Sequence, residues 1–567
     1  MLEPMSAEGL LRDFVRAGFI GLPDYHLARR LSRGFEPSEE VQLAFALTVR
    51  ELRRGSVCLP LSTARALKPL SEADDGSAPP VNEAHWPEPA GWLRAVAASR
   101  LVGPGAPFVL DDDRLYLRRY HLQEQRVREL LIARQSLSSG QLPDEETLLA
   151  GSSVPGNETD PQQDEAVLCA LRHMTSVLTG GPGTGKTTTV QRVLLALSSL
   201  HPLLVALAAP TGKAARQLHD SVVGHLPPGA TRGLFTGTLH RMLGIAPHQP
   251  HGSFDASNPL PYDVIVVDET SMVSLEQMAL LLGAIGRATR LVLVGDPNQL
   301  RSVDAGAILA DLVANDQLLP AEAVAKLRRN YRSNAEIGDL ARLIDEGDAE
   351  AALDALRRAP NIDFVPYTGQ PIDDLPLREE VVRQAREVVG CAQVGDARGA
   401  LKALGRHRVL CAHTVGPYGV EYWARAARRI IARDLPGYGS SAHYIGQPLL
   451  VTRNSDRFNN GDVAVLCLID GLQAAVEQGK SDPLIVSPSQ LDAAQDLHAM
   501  TVHKAQGGGF DRVSVVLPPV GSPLATRELL YTAVTRAKLG LVLYGTEAAF
   551  VEAVRTPVRR ASGLAAR

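Results

Sequence analysis

The sequence predicts an α/β protein built on parallel sheets, with a mainly helical N-terminal segment and a small all-β insertion. Three observations carry this. Short β-branched runs alternate with helical stretches between Thr175 and Leu300. A glycine-rich loop, Gly180-Gly181-Pro182-Gly183-Thr184-Gly185-Lys186-Thr187, lies between one such run and a helix. The alternation returns after Ile362 and is interrupted by a stretch that holds short strands only.

In chain order, apolar residues recur at helical spacing from Leu10 to Leu31 and from Val41 to Leu52. A strand pair is expected at Phe108–Leu110 and Leu115–Leu117, around the acidic turn Asp111–Asp113. Breaker-rich stretches at 71–91, 136–163 and 435–446 read as linkers or exposed loops. The first α/β segment has strands at Ser176–Leu178, Leu204–Ala208, Val264–Val267 and Leu291–Val294. The second runs from Ile362 to Ala432 and resumes with strands at Val513–Leu517 and Leu541–Tyr544. Between its halves, Pro448–Thr452, Val463–Leu468 and Pro483–Val486 read as the β insertion. The expected boundaries are an N-terminal domain over 1–135, a linker over 136–160, a first α/β domain over 161–330, a second over 331–435 with 491–567, and the insertion over 436–490.

Composition narrows the function classes. With 567 residues, 45% of them hydrophobic and 21% charged, the chain is rich enough in apolar residues to build several cores, which excludes a mainly disordered protein. No run of 18 apolar residues occurs, so no membrane-spanning helix is expected. Glu3, Glu8, Arg12 and Asp13 interrupt the stretch that an export signal would need, which points to the cytoplasm. The formal charge of −5 excludes a polybasic nucleic-acid binder, so any DNA contact must come from a local groove. Only 8 of the 58 basic residues are lysines, which makes their positions worth locating. The five cysteines are scattered without a C-x-x-C pair, neither a zinc nor a disulfide pattern.

The glycine-rich loop is the sharpest signal. Its glycines let backbone N–H groups turn inward around a phosphate, and the following helix N-terminus adds a favourable dipole. Lys186 is suited to reach the β- and γ-phosphates of a nucleotide and Thr187 to hold magnesium. Its companion is Val264-Ile265-Val266-Val267-Asp268-Glu269, an apolar strand that delivers two carboxylates at its C-terminal end. Asp268 is suited to hold magnesium through water, and Glu269 to orient and deprotonate the attacking water. Together the two motifs imply nucleoside triphosphate hydrolysis, with ATP and Mg²⁺ as the expected ligands. Another strand end, Val294-Gly295-Asp296-Pro297-Asn298-Gln299, offers Gln299 as a contact to the γ-phosphate.

Further blocks follow in order: Ala209-Pro210-Thr211-Gly212-Lys213-Ala214-Ala215-Arg216, Thr238-Leu239-His240-Arg241, Asn330-Tyr331-Arg332, Thr501-Val502-His503-Lys504-Ala505-Gln506-Gly507 and Tyr531-Thr532-Ala533-Val534-Thr535-Arg536-Ala537-Lys538. This ordered set resembles the motif series of superfamily 1 helicases. Half of the lysines (Lys186, Lys213, Lys504 and Lys538) fall inside it. Gln299 is followed by Leu300-Arg301-Ser302 without the aromatic usual in the 3′→5′ branch, which resembles the 5′→3′ branch. The wording of the glycine-rich loop, with Gly55-Ser56-Val57-Cys58-Leu59-Pro60-Leu61, Asp113-Arg114-Leu115-Tyr116-Leu117, Gly416-Pro417-Tyr418-Gly419-Val420 and Phe458-Asn459-Asn460-Gly461-Asp462, resembles the RecD family, the alpha subunits of exonuclease V (RecBCD).

The resemblance implies two RecA-like (P-loop NTPase) motor domains, an SH3-like insertion and an N-terminal domain that docks on a partner. It implies that Gln163 reads adenine and that Gly180, Gly181, Pro182, Gly183, Thr184, Gly185, Lys186, Thr187 and Thr188 hold the nucleotide. Arg332 and Arg536 are implied to approach the γ-phosphate from the second motor. Pro210, Thr211, His240, Thr501, His503 and Lys504 are implied to line the single-strand track or couple it to the nucleotide. The implied partners are DNA, single-stranded and at double-strand ends, and RecB-like and RecC-like subunits. The 29 residues after Lys538 hold no carboxylate cluster with a paired lysine, so the nuclease of such an assembly is expected on a partner chain. The segment 244–261 stands where relatives carry a strand-splitting hairpin. One departure stands out: the usual S-Q-G-S-E-F is Ala505-Gln506-Gly507-Gly508-Gly509-Phe510 here, which removes a hydroxyl and a carboxylate. Two other readings stay open: a stand-alone RecD-like helicase, whose helix-hairpin-helix extension is not seen before Ser136, and an ATP-binding regulatory subunit with weak translocation.

Overall fold

The fold, taken from a computed structural model of the chain, is described for residues 9–69, 84–154, 160–246, 252–302, 304–306, 308–331, 333–372, 376–455, 457–479, 481–491 and 493–565. Arg332 and part of the 244–261 segment therefore lie outside the described residues.

The N-terminal segment packs the helices Gly9–Arg16, Leu22–Ser32, Glu39–Arg53 and Pro89–Ala98 on a three-stranded antiparallel sheet of Cys58–Pro60, Arg114–Leu117 and Phe108–Asp111. The apolar spacing from Leu10 to Leu31 is split into two helices. Gly18 takes a left-handed conformation (φ 74°), and Pro23 opens the second helix in its first turn. Phe45 of the third helix stacks on Phe108 of the sheet with ring centroids 3.9 Å apart, at the centre of this core. The long helix Arg118–Gln135 then leads into the first α/β lobe. Its last turn is fixed there by Arg134, which donates to Thr175 Oγ1 (2.7 Å) and to the carbonyls of Met174 (2.9 Å) and Thr289 (2.6 Å).

The first lobe holds a six-stranded parallel sheet in the order Thr231–Thr238, Leu203–Ala209, Val264–Val267, Arg290–Gly295, Thr175–Gly180 and Val324–Leu327. The central strands are buried on both faces, as a parallel sheet requires. Thr231–Thr238 and Val324–Leu327, absent from the sequence reading, close the two edges. The 136–160 linker also holds structure: the helix Glu145–Gly151 is capped by Asp144 and buries Leu148 in the lobe's core.

The second lobe is a five-stranded parallel sheet in the order Ile362–Pro366, Ala537–Gly545, Phe510–Val516, His407–Cys411 and Met500–Thr501. From it projects a five-stranded antiparallel sheet: Leu484–Val486, Leu472–Val476, Val463–Leu468, Pro448–Val451 and Ala494–Asp496. Ala494–Asp496 pairs with Pro448–Val451, so this β unit extends past the boundary expected at 490. It touches the first lobe at the helix Gly212–Val222, where Arg216 donates to the Glu477 carbonyl (3.1 Å) and Lys213 lies 3.9 Å from the Glu477 carboxylate.

After the last helix, Glu547–Arg555, the chain crosses back over the seam between the lobes. The Val558 N–H donates to the Glu528 carboxylate of the second lobe (2.9 Å), and Arg560 donates to the Ser302 carbonyl of the first (2.6 Å). The Val57 N–H of the N-terminal segment donates to the Ala561 carbonyl (2.7 Å), and Leu564 is fully buried in the first lobe's core. Beside this tail Asp311 is 7% exposed, its Oδ2 has no hydrogen-bond partner among the described residues, and burial, against the Ser562 hydroxyl, pushes its carboxyl up to about 6. A carboxyl held above its ordinary value contributes its stability fully below that value and loses it as pH rises through the shifted one. Asp311→Asn is therefore expected to lie within roughly 0.5 kcal/mol of the parent protein in chemical denaturation at pH 4, just above the ordinary value. At pH 8 it is expected to exceed the parent by roughly 2–3 kcal/mol, the two values being about two units apart.

Candidate active site at the seam of the two lobes

The glycine-rich loop joins the strand Thr175–Gly180 to the helix Lys186–Leu200. Gly185, the residue before that helix, has φ 87°, and a Cβ there would stand 2.4 Å from Gln163 Nε2. Only glycine meets both demands. Lys186 Nζ donates to the carbonyls of Gly180 (2.6 Å) and Gly181 (2.9 Å), and Thr184 Oγ1 donates to the Gly181 carbonyl (2.9 Å). The lysine is thus held over the loop that would take the phosphates. Gln163, in the first turn of the helix Pro161–Arg172, is nearly buried against the loop.

Two strands along the sheet, Val264–Val267 ends in Asp268 and Glu269. Glu269 takes a left-handed conformation (φ 50°), a strain of roughly 1–3 kcal/mol for a residue with a side chain. Its N–H donates to Asp268 Oδ1 (2.8 Å). Burial, and then the neighbouring Glu269 charge, push the Asp268 carboxyl upward, against the pull of the Glu269 N–H and the Lys186 ammonium. The strain and the raised carboxyl both sit where a cation would be bound.

From the second lobe, the helix Arg527–Val534 brings Tyr531, Thr532 and Arg536 to the same place. Arg536 Nε donates to the Thr532 carbonyl (3.2 Å) and Nη1 to the Gly508 carbonyl (2.8 Å), which fixes the guanidinium. One cavity of about 760 Å³ is lined by Gln163, Lys186, Asp268, Glu269 and Gln299 from the first lobe and by Arg536 from the second. Pro182, Gly183, Gly185, Thr187 and Thr188 also line it, while Gly180, Gly181 and Thr184 support the loop from beneath. Arg332 lies outside the described residues, but Tyr331 and Ser333 on either side line the cavity.

Gln299 is 3% exposed and donates through Nε2 to Asp296 Oδ2 (3.1 Å). Gly507, Gly508 and Gly509 form part of the wall, and a Cβ on Gly507 would lie 3.8 Å from Glu269 Oε1. The sequence reading missed Asp160, which lines the cavity and accepts a hydrogen bond from Tyr331, and Tyr531, which donates to Asp296 Oδ2 (2.9 Å). Tyr331 and Tyr531 lie within quoted motifs, which was the only signal available for them.

The six residues implied to meet DNA stand apart from the cavity lining. Pro210 and Thr211 follow the strand Leu203–Ala209, and Thr211 caps the next helix, its Oγ1 accepting from the Ala214 N–H (3.2 Å). His240 follows the strand Thr231–Thr238. In the second lobe, Thr501 ends its strand and accepts from the Lys504 N–H (3.3 Å). Lys504 is exposed, and burial lowers the His503 imidazole. All six therefore sit at or just beyond the carboxyl ends of parallel strands, where open α/β sheets bind ligands.

Residues 158–366 match the AAA domain family, residues 16–116 the RecBCD enzyme subunit RecD N-terminal domain, and residues 496–544 the UvrD-like helicase C-terminal domain. The chain is 42% identical to the RecBCD enzyme subunit RecD of Mycolicibacterium smegmatis, over 95% of this chain and 96% of that one. It is 41% identical to the same subunit of Mycobacterium tuberculosis, over 99% and 97%. The chain belongs to the RecD family. Among solved structures, this RecD-family chain is similar to one described as Pif1 helicases at forked double-stranded DNA (16% identity, TM-score 0.40, 71% of this chain and 95% of that one). With its RecD, AAA and UvrD-like helicase domains, it is an ATP-dependent helicase.

The two carbonyls that fix Arg536 are met by two different nitrogens of one planar guanidinium, Nε and Nη1, a geometry that the single ammonium nitrogen of a lysine does not reproduce. If Arg536 acts as the arginine finger that the resemblance implies, Arg536→Lys is expected to slow ATP hydrolysis by about 10³-fold or more, while ATP affinity changes little. Single-turnover hydrolysis and nucleotide titration separate the two.

Proposed function

We propose that the chain is the 5′→3′ motor of a heterotrimeric exonuclease V, moving along one strand from a double-strand DNA end during recombinational repair and DNA degradation. Its partners on this reading are RecB-like and RecC-like subunits, its nuclease is carried by one of them, and it works in the cytoplasm. Among the described residues no helix is long and apolar enough to cross a membrane. One observation carries the motor reading: Arg536 of the second lobe lines the same cavity as Lys186, Asp268 and Glu269 of the first.

On this reading the ATP phosphates lie on the loop N–H groups, with Lys186 exchanging its two carbonyl partners for phosphate oxygens. The residues fit a magnesium ion: Thr187 offers a hydroxyl and Asp268 a carboxylate that is costly to ionise without a cation. Bound there, magnesium would neutralise charge on the transferring phosphoryl group. Glu269 orients and deprotonates the attacking water, Gln299 reports the γ-phosphate, and Gln163 reads the adenine. Arg536, with Arg332, stabilises the charge that develops between the lobes. Loss of the γ-phosphate removes what both lobes hold in common, so they separate and the strand advances. Pro210, Thr211, His240, Thr501, His503 and Lys504 hold the strand through its backbone.

Gly508 and Gly509, in place of a serine and a glutamate, favour a second reading, a regulatory subunit that binds ATP and DNA with little translocation. Lys186→Ala decides between them. The motor reading expects single-stranded DNA to stimulate ATP hydrolysis by the assembled complex and expects this chain's share of that rate to vanish in the variant. An assembly with the same DNA-stimulated rate with or without Lys186 would leave the regulatory reading. Strand binding through phosphates is also expected to depend weakly on sequence and strongly on salt, with a log–log slope near −0.7 for each phosphate neutralised, as roughly found for single strands. A salt titration on homopolymers of different base checks it.

A further inference from the structure

We propose that Tyr531 is a positioning residue that parks Gln299 away from the nucleotide until the lobes rearrange, so that ATP turnover depends on DNA. This rests on the assignment of Gln299 as the γ-phosphate contact.

The geometry is a junction of three side chains from both lobes. The Tyr531 hydroxyl donates to Asp296 Oδ2 at 2.9 Å, and Gln299 Nε2 donates to the same oxygen at 3.1 Å. Asp296 and Gln299 are 2% and 3% exposed and Tyr531 is buried, so water does not compete for these bonds. A glutamine meets a phosphate through its amide N–H₂, since its carbonyl oxygen can only accept. Here that N–H₂ is turned to Asp296, and Gln299 Oε1 is buried without a partner among the described residues. A buried acceptor left unpaired is costly, so the arrangement is held by its neighbours rather than by the glutamine itself.

Tyr531 is the neighbour that belongs to the other lobe. Burial and the adjacent Asp296 carboxylate keep its phenol protonated, so it acts as a donor. Burial also pushes the Asp296 carboxyl upward, while Lys186, the Asn298 N–H, the Tyr531 hydroxyl and the Gln299 amide counter this. Each of these donors therefore helps keep Asp296 an anion, and only an anion grips the Gln299 amide firmly. The next residue, Thr532, accepts from the Leu300 N–H (2.9 Å), and the Gln506 amide donates to the Leu300 carbonyl (2.9 Å). The helix that carries Tyr531, together with Gln506, thus clamps the loop after the strand Arg290–Gly295 that carries Gln299, and Arg536 follows two residues beyond that helix. A shift of that helix, driven by DNA on the second lobe, would withdraw the hydroxyl, loosen Asp296 and free the Gln299 amide for the phosphate.

Steady-state ATP turnover of the full chain in its complex, with and without oligo-dT, tests this with Tyr531→Phe, Gln299→Ala and the double variant. Without DNA, Tyr531→Phe is expected to turn over faster by about three- to tenfold, the rate equivalent of one net hydrogen bond. Its rate with DNA is expected to stay near that of the parent, so the stimulation ratio falls. In the Gln299→Ala background the tyrosine substitution is expected to be silent, because its effect passes through that glutamine. The proposal is overturned if both rates of Tyr531→Phe fall together, if the DNA-free rate is unchanged, or if the effect persists without Gln299. A parent complex whose turnover ignores DNA would remove the motor reading itself, and this inference with it.

Discussion

Neither lobe of this protein completes the seam cavity alone, because Lys186, Asp268 and Glu269 come from one sheet and Arg536 from the other, and on the proposed reading these hold the phosphates and stabilise the charge that develops on them. Everything that fixes the relative position of the lobes therefore acts on chemistry. Beside Leu300, which packs into the second lobe's core, hydrogen bonds cross the seam. Tyr531 to Asp296, Thr532 to the Leu300 N–H, Gln506 to the Leu300 carbonyl and Tyr331 N–H to the Gly183 carbonyl all cross it. Such contacts are directional and individually worth about 0.5–1.5 kcal/mol, so they specify one arrangement without making it permanent.

The C-terminal tail answers the question of what keeps two such lobes together when the seam opens. It is anchored in the second lobe at Glu528, crosses to Ser302, passes the N-terminal segment at Val57 and ends with Leu564 in the first lobe's core. Ser302 lies three residues after Gln299, and the Gly306 N–H donates to the Gly55 carbonyl (3.0 Å). The N-terminal segment, the tail and Gln299, the proposed γ-phosphate contact, thus share one short stretch of chain, a physical route by which a partner docked on that segment could bear on turnover.

What the sequence made legible follows from where the information is local. Val264–Val267 was read to the residue because four β-branched side chains in a row admit little else. Thr231–Thr238 was missed because Gly233, Gly237 and its polar residues look like a loop, and it becomes a strand only by pairing with Leu203–Ala209 at the sheet edge. Leu472–Val476, with two alanines, was missed for a similar reason. At the site, Lys186, Asp268, Glu269, Gln299 and Arg536 each stand in a motif whose spacing names a chemistry. The Asp296–Tyr531 and Asp160–Tyr331 bonds join residues 235 and 171 positions apart, and nothing near any of these residues announces its partner. The tail is the extreme case, since a serine, a glycine and a leucine acquire meaning only from the surface they cross.

The glycines at 507–509 are better understood from this seam than from the side chains they lack. Gly507 has φ 74°, and the wall it forms faces the strained Glu269 closely enough that a Cβ would make van der Waals contact with Oε1. The Gly508 carbonyl is one of the two that fix Arg536. What this loop contributes is backbone: one carbonyl aimed at the arginine and one bare surface beside the glutamate. A serine or glutamate at 508 or 509 would add polar groups to the cavity wall without replacing either. Three glycines do leave the loop more conformational freedom to lose when it orders. The hydrogen bond from Arg536 offsets part of that cost, so the loop and the arginine, both of the second lobe, are ordered by the same contact.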